Sequence, residues 1–233
     1  MSAAGPLSHL SQSFLASGQP WVDWHWVRHH LGVIRHDIWE HTFLTGLAVG
    51  VGLLIAIPLA ILAYRQKWTE APILGLTGAI YTIPSLALLG FLVPITGLTT
   101  TTAEIALVGY TLLILVRNVL TGLHEVPADI REAARGMGYT PTGQLLRVEL
   151  PLAVPAIMAG LRVATVTTIG LVTITALIGA GGLGQLIYGG LNQDFRTLTV
   201  VGAVASVGLA VVADGLLVGV QRLVTPWSRR RGG

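Results

Sequence analysis

Five stretches of this chain, residues 42–64, 72–95, 103–120, 156–178 and 198–220, are apolar runs of eighteen to twenty-four residues. At about 1.5 Å per residue, a helix of that length crosses a hydrocarbon core roughly 30 Å thick. A backbone in lipid must satisfy its own polar groups, so each run is expected to be a helix. Charged residues make up 11% of the chain, where a soluble domain carries about a quarter, which makes this an integral membrane protein. The expected fold is all-α with five transmembrane helices. There is no cysteine, which excludes a disulfide framework and a cysteine-based metal site.

Charge sets the orientation. Arg65 and Lys67 follow the first run, Arg117 closes the third, Arg131, Arg135 and Arg147 lie before the fourth, and Arg222 and Arg229 to Arg231 follow the fifth. These are ten of the fourteen Lys and Arg, and they all fall on one side; Arg28, Arg35 and Arg196 fall on the other. Basic residues collect on the cytoplasmic side, which predicts an N-terminus outside and a C-terminus in the cytoplasm. The same scatter argues against nucleic acid, despite a net charge of +3, because no single face or arm is basic.

The chain then divides into an extracytoplasmic segment 1–41, a transmembrane domain 42–222 and a basic cytoplasmic tail 223–233. Residues 1–20 lack the pattern of a cleavable signal peptide. In 21–41, Trp24, Val27, Leu31, Ile34 and Ile38 share one helical face, while Trp21, Trp26 and Trp39 suit the head-group layer. That predicts an interfacial helix. His25, His29, His30, His36 and His41 lie there too, but no carboxylate or cysteine completes a ligand set around the His25/His29 pair, so no metal is expected.

Inside the runs, Gly46 and Gly50 make a G-x-x-x-G step suited to close helix packing. The second run is expected to break at Pro84 and again at Pro94. A proline frees a carbonyl in the preceding turn, which membrane proteins tolerate where it faces protein or a water-filled cavity. Tyr81, Thr82, Pro84 and Ser85 are therefore either candidates for lining a solute path or parts of a packed kink. The threonines at 165, 167, 168, 173 and 175 carry the same two readings, since their hydroxyls can bond back to their own helix. Arg162 and Asp214 lie within runs four and five, where unpaired charge is costly. They are a candidate ion pair, with a functional role or a purely pinning one; snorkelling of Arg162 to the interface is the other outcome.

The longest polar passage between runs is Pro127–Pro151, within a loop spanning 122–151. Pro127 suits a helix start, Asp129 the first turn and Gly138 a left-handed end. Ile130, Ala133, Ala134 and Met137 form one apolar stripe, with Arg131, Glu132 and Arg135 off it. Thr140 and Pro141 restart a helix that Pro151 is expected to interrupt.

Glu132-Ala133-Ala134, Gly138, Val148 and Leu150-Pro151 are spaced as in the EAA loop of ABC-importer permeases, with Val148 where that pattern usually has Ile. The loop resembles that family's cytoplasmic coupling helix, which sits in a cleft of the ATP-hydrolysing subunit. The resemblance implies the type I importer permease fold, a bacterial inner-membrane location, and coupling residues Ile130, Glu132, Ala133, Ala134, Met137, Gly138, Leu150 and Pro151. The run from Tyr81 to Leu92, Gly136-Met137-Gly138 and the bend Gly179–Gly184 are similar to permeases of osmoprotectant importers, which move glycine betaine, choline, carnitine and related quaternary ammonium compounds. The bend also resembles methionine-importer permeases.

The partners implied are an ATPase dimer, a second permease chain, a solute-binding protein outside, and membrane lipid. No cofactor is implied. The chain has no G-x-x-x-x-G-K-[ST] loop and a single lysine, Lys67, so ATP chemistry is expected on a separate subunit and the chain is expected not to be an enzyme. An ion-coupled secondary transporter and a non-transporting scaffold are the competing classes. The first would call for an internal repeat and a further acid beside Asp214.

Overall fold

In the computed structural model, residues 20–226 are described and all the regular structure among them is helical. The middle of the bundle is α5 (Thr100–His124), which packs against α2 (Leu31–Arg65) and α8 (Leu150–Thr175). Thr99 starts α5 as its N-cap, accepting from the Thr102 N–H. The contact with α2 is close because α2 presents small residues: Ala48, Ala56, Ala60 and Ala63 have no exposed surface. At Gly52 a Cβ would run into the Thr111 side chain. Gly46 and Gly50, by contrast, meet nothing within the chain, so the expected glycine packing step belongs to Gly52 instead.

The N-terminal part differs from the expected interfacial helix. Asp23 caps a short α1 (Trp24–His29), the chain breaks at His30, and α2 then runs for 35 residues through the boundary at 41/42. At about 1.5 Å per residue, α2 is far longer than the bilayer core, so its first turns stand beyond it or tilt. Glu40 and His41 do not end the helix because they are bonded elsewhere, and His36 pairs with Asp37 and Glu40 of the same helix. His41, fully buried, bonds the Ile169 carbonyl through Nε2 (3.0 Å) and accepts from the Leu183 N–H at Nδ1 (3.3 Å). Glu40 accepts from the Gly182 N–H at 3.0 Å.

Among the described residues, four helices are long and apolar enough to cross a membrane, and a bent pair makes a fifth crossing if it counts as one span. That pair is α3 (Lys67–Thr82) and α4 (Ser85–Thr96), meeting at 95°. Ile83 is extended, as a residue before proline should be, and Pro84 caps α4. Pro94 makes no second break. It lies near the end of a twelve-residue helix, which Gly97 closes with a left-handed φ of 78°.

After α5 come α6 (Ala128–Gly136) and α7 (Pro141–Gln144). Pro151 does not interrupt the chain. A π-turn over Leu145–Glu149, closed by the Leu150 N–H on the Leu145 carbonyl, leads straight into α8, and helix continues from Pro141 to Ile178. The wider turn just before Pro151 accommodates a residue that donates no hydrogen bond. The glycine bend turns the chain at Gly179, Gly181 and Gly182, all with positive φ, into a short unanticipated α9 (Gly184–Asn192). The last helix, α10 (Arg196–Val224), packs on α8 and α9. Arg229 to Arg231 of the basic tail lie outside the described residues.

Candidate functional site

The polar loop presents two opposed faces. Gly138 has φ of 82° and ends the short helix, with the Tyr139 N–H on the Ala134 carbonyl. Ala134 is buried and Ile130 half-buried against the rest of the chain, and Arg131 reaches back to the Tyr64 hydroxyl at 3.0 Å. Ala133 and Glu132 are exposed on the far side, and Met137 is 70% exposed. The apolar stripe therefore does not bury as one surface: half of it is spent inside the chain and half is left outward. Leu150 packs onto the bundle core and Pro151 is half-buried beside it, apart from that outward face.

At the α3–α4 break, the Tyr110 hydroxyl donates to the Ile83 carbonyl, the type of acceptor a helix break leaves open. Tyr81 stands edge-on to Tyr110, ring centres 5.9 Å apart, and is exposed. Thr82 donates to the Ala79 carbonyl of its own helix. Ser85 lines a gap of about 10 Å³ with Leu89, Tyr110, Ile174 and Thr175, too small for a solute. The hydroxyls of Thr165, Thr168, Thr173 and Thr175 all donate to carbonyls of α8 itself.

Arg162 and Asp214 form a two-pronged ion pair between α8 and α10, Nε to Oδ1 at 2.7 Å and the second guanidinium nitrogen to Oδ2 at 2.9 Å. This geometry satisfies both carboxylate oxygens at once. One intramembrane acid escaped the sequence reading. Glu104, inside the third run, has both carboxylate oxygens buried without a partner, as has the Thr45 hydroxyl on α2. The signal was available, since Glu104 is the one acid in residues 103–120.

The histidine segment sorts differently from expectation. His29 Nδ1 bonds the His25 carbonyl at 2.8 Å, and the two rings lie with centres 4.1 Å apart. Ligand-type atoms of His36, Asp37 and Glu40 do come within 4.8 Å of one another, although Glu40 is already engaged with Gly182.

Residues 48–226 match the family model described as binding-protein-dependent transport system inner membrane component. The osmoprotectant import permease protein OsmW of Salmonella typhimurium is 39% identical over 207 residues, covering 87% of this chain and 96% of that one. The choline transport system permease protein OpuBB of Bacillus subtilis is 39% identical over 200 residues, covering 86% and 92%. Among solved structures, the inward-facing MetNI methionine ABC transporter superposes with a TM-score of 0.76 at 24% identity, over 84% of this chain and 97% of that one, a likeness of fold. With a family match over most of the chain and near full-length relatives, this protein belongs to the inner-membrane components of binding-protein-dependent transport systems.

Proposed function

We propose that this chain forms the membrane path of an ATP-driven importer of quaternary ammonium osmoprotectants and receives its driving force through the loop 122–151. The observation that carries the reading is the pair of near full-length relatives at 39% identity, one named for osmoprotectant import and the other for choline transport. The loop lies in the cytoplasm, with the N-terminus outside. Its outward Ala133 and Met137, with Glu132 beside them, enter a cleft of an ATPase subunit, while Ile130, Ala134, Leu150 and Pro151 hold the loop to the bundle and Gly138 turns the chain at the helix end.

One chain carries one such loop, whereas an ATPase dimer offers two clefts, so a second permease chain completes the assembly. Hydrolysis belongs to the ATPase subunits, and a solute-binding protein delivers the cargo. The Tyr81–Ser85 break lines the path, and closure of the ATPase dimer drives alternating access.

The test is reconstitution in vesicles with the ATPase and the cognate binding protein. Binding protein loaded with glycine betaine, choline or carnitine should stimulate both ATP hydrolysis and uptake, and methionine should stimulate neither. Uptake driven by an ion gradient without ATP would sink the reading.

A further inference from the structure

Behind the loop, on the side away from Ala133 and Met137, lies a cavity of about 650 Å³. Its wall carries Arg65, Lys67, Arg131 and Arg135, with Tyr64 and Tyr139 between them. The one carboxylate on that wall, Glu149, is 4% exposed and already accepts from the Gln144 amide at 2.6 Å. Arg131 is held by the Tyr64 hydroxyl, and Arg65 reaches the Pro141 carbonyl and the Thr142 hydroxyl at 3.4 and 3.3 Å. The Lys67 and Arg135 side chains have no hydrogen-bond or ion-pair partner among the described residues. Four positive charges, two of them held and two free, thus line a space with one spoken-for negative charge.

Lysine and arginine gathered around a half-open space whose one carboxylate is already engaged are matched by an anion rich in acceptor oxygens. The position of the cavity identifies the source. Lys67 is followed by Trp68, 77% exposed, and Leu62 and Leu76 on the neighbouring turns of α2 and α3 are exposed too. An outward tryptophan beside basic residues at the end of a membrane helix marks the depth where hydrocarbon gives way to head groups. We propose that this cavity binds the phosphodiester head group of an anionic phospholipid, with its acyl chains lying along Leu62, Trp68 and Leu76. The lipid braces the inner side of the loop while its outer side stays free. The assignment does not rest on the loop's docking to an ATPase, and its failure would leave the proposed transport function standing.

The experiment is native mass spectrometry of the full-length chain in detergent, titrated with phosphatidylglycerol, phosphatidylcholine or inorganic phosphate. Phosphatidylglycerol should be retained and phosphatidylcholine lost at the same concentration. A cation next to an anionic head group is worth about fivefold in affinity, so the Lys67→Gln/Arg135→Gln double variant should bind phosphatidylglycerol roughly 30-fold more weakly. Lys67→Arg/Arg135→Lys should restore binding, which separates charge from damage to the fold. Arg35→Gln, at the opposite end of α2, should change nothing.

Unchanged phosphatidylglycerol binding by the double glutamine variant would overturn the proposal. So would displacement of the lipid by inorganic phosphate at equal concentration, which would mean a free-anion site. Release of the lipid when the ATPase subunits are added would make the cavity a protein contact, again overturning it.

Discussion

His41 has no exposed surface and uses both ring nitrogens on groups far away in sequence, Ile169 and Leu183. A phenyl ring fills similar space and accepts nothing, so His41→Phe leaves the buried Leu183 N–H without that acceptor. The cost should be about 1–3 kcal/mol, read as a lower melting temperature of the purified chain. At the ion pair, Asp214→Leu alone strands a guanidinium within the membrane, whereas Arg162→Met with Asp214→Leu strands nothing. The single variant should therefore melt below the double one; the reverse order would show that an unpaired Arg162 is tolerated at that depth. Gly138→Val forces a β-branched residue into φ of 82°, on the order of 1–2 kcal/mol of local strain. We expect that variant to insert normally and lose uptake, checked by membrane fractionation beside a transport assay.

At the level of elements, the α2–α5 contact depends on one missing side chain. Gly52→Val should push Thr111 away and cost about 1–3 kcal/mol, measured again by thermal melting; Gly46→Val, facing open space, should be close to neutral in the isolated chain. Run lengths and caps made most of these elements legible in advance, because hydrophobic extent and a residue such as Thr140 or Gly138 act within a few positions of themselves. The break at Pro84 was legible for the same reason. Pro151 was not, since its effect was offset by a π-turn that no local pattern announces. Nor was the continuity of α2 through residues 36–41, where Glu40 and His41 are satisfied by residues some 130 to 140 positions away. The sequence pattern put Ile130, Ala133, Ala134 and Met137 on one stripe; which of them turn inward depends on Tyr64 and the bundle behind it.

For the whole molecule, the absence of cysteine permits a clean test of sidedness. Single cysteines at Met137 and Gln66 should react with a membrane-impermeant maleimide only after the cells are opened, whereas cysteines at Gly97 and Gln193 should react in intact cells. The opposite pattern would invert the orientation derived from the basic residues. The three central helices also bear on how such a molecule can move. Ala56, Ala60 and Ala63 of α2 and Val116, Val119 and Leu123 of α5 have essentially no exposed surface, and Ala153 of α8 is 1% exposed within the same cluster. Surfaces packed this closely favour movement as one body over large sliding of one helix along another. A pull on the loop must then pivot α2, α5 and α8 as a single piece, so spin labels on Leu59 and Ile114 should keep one fixed separation through the entire ATP cycle.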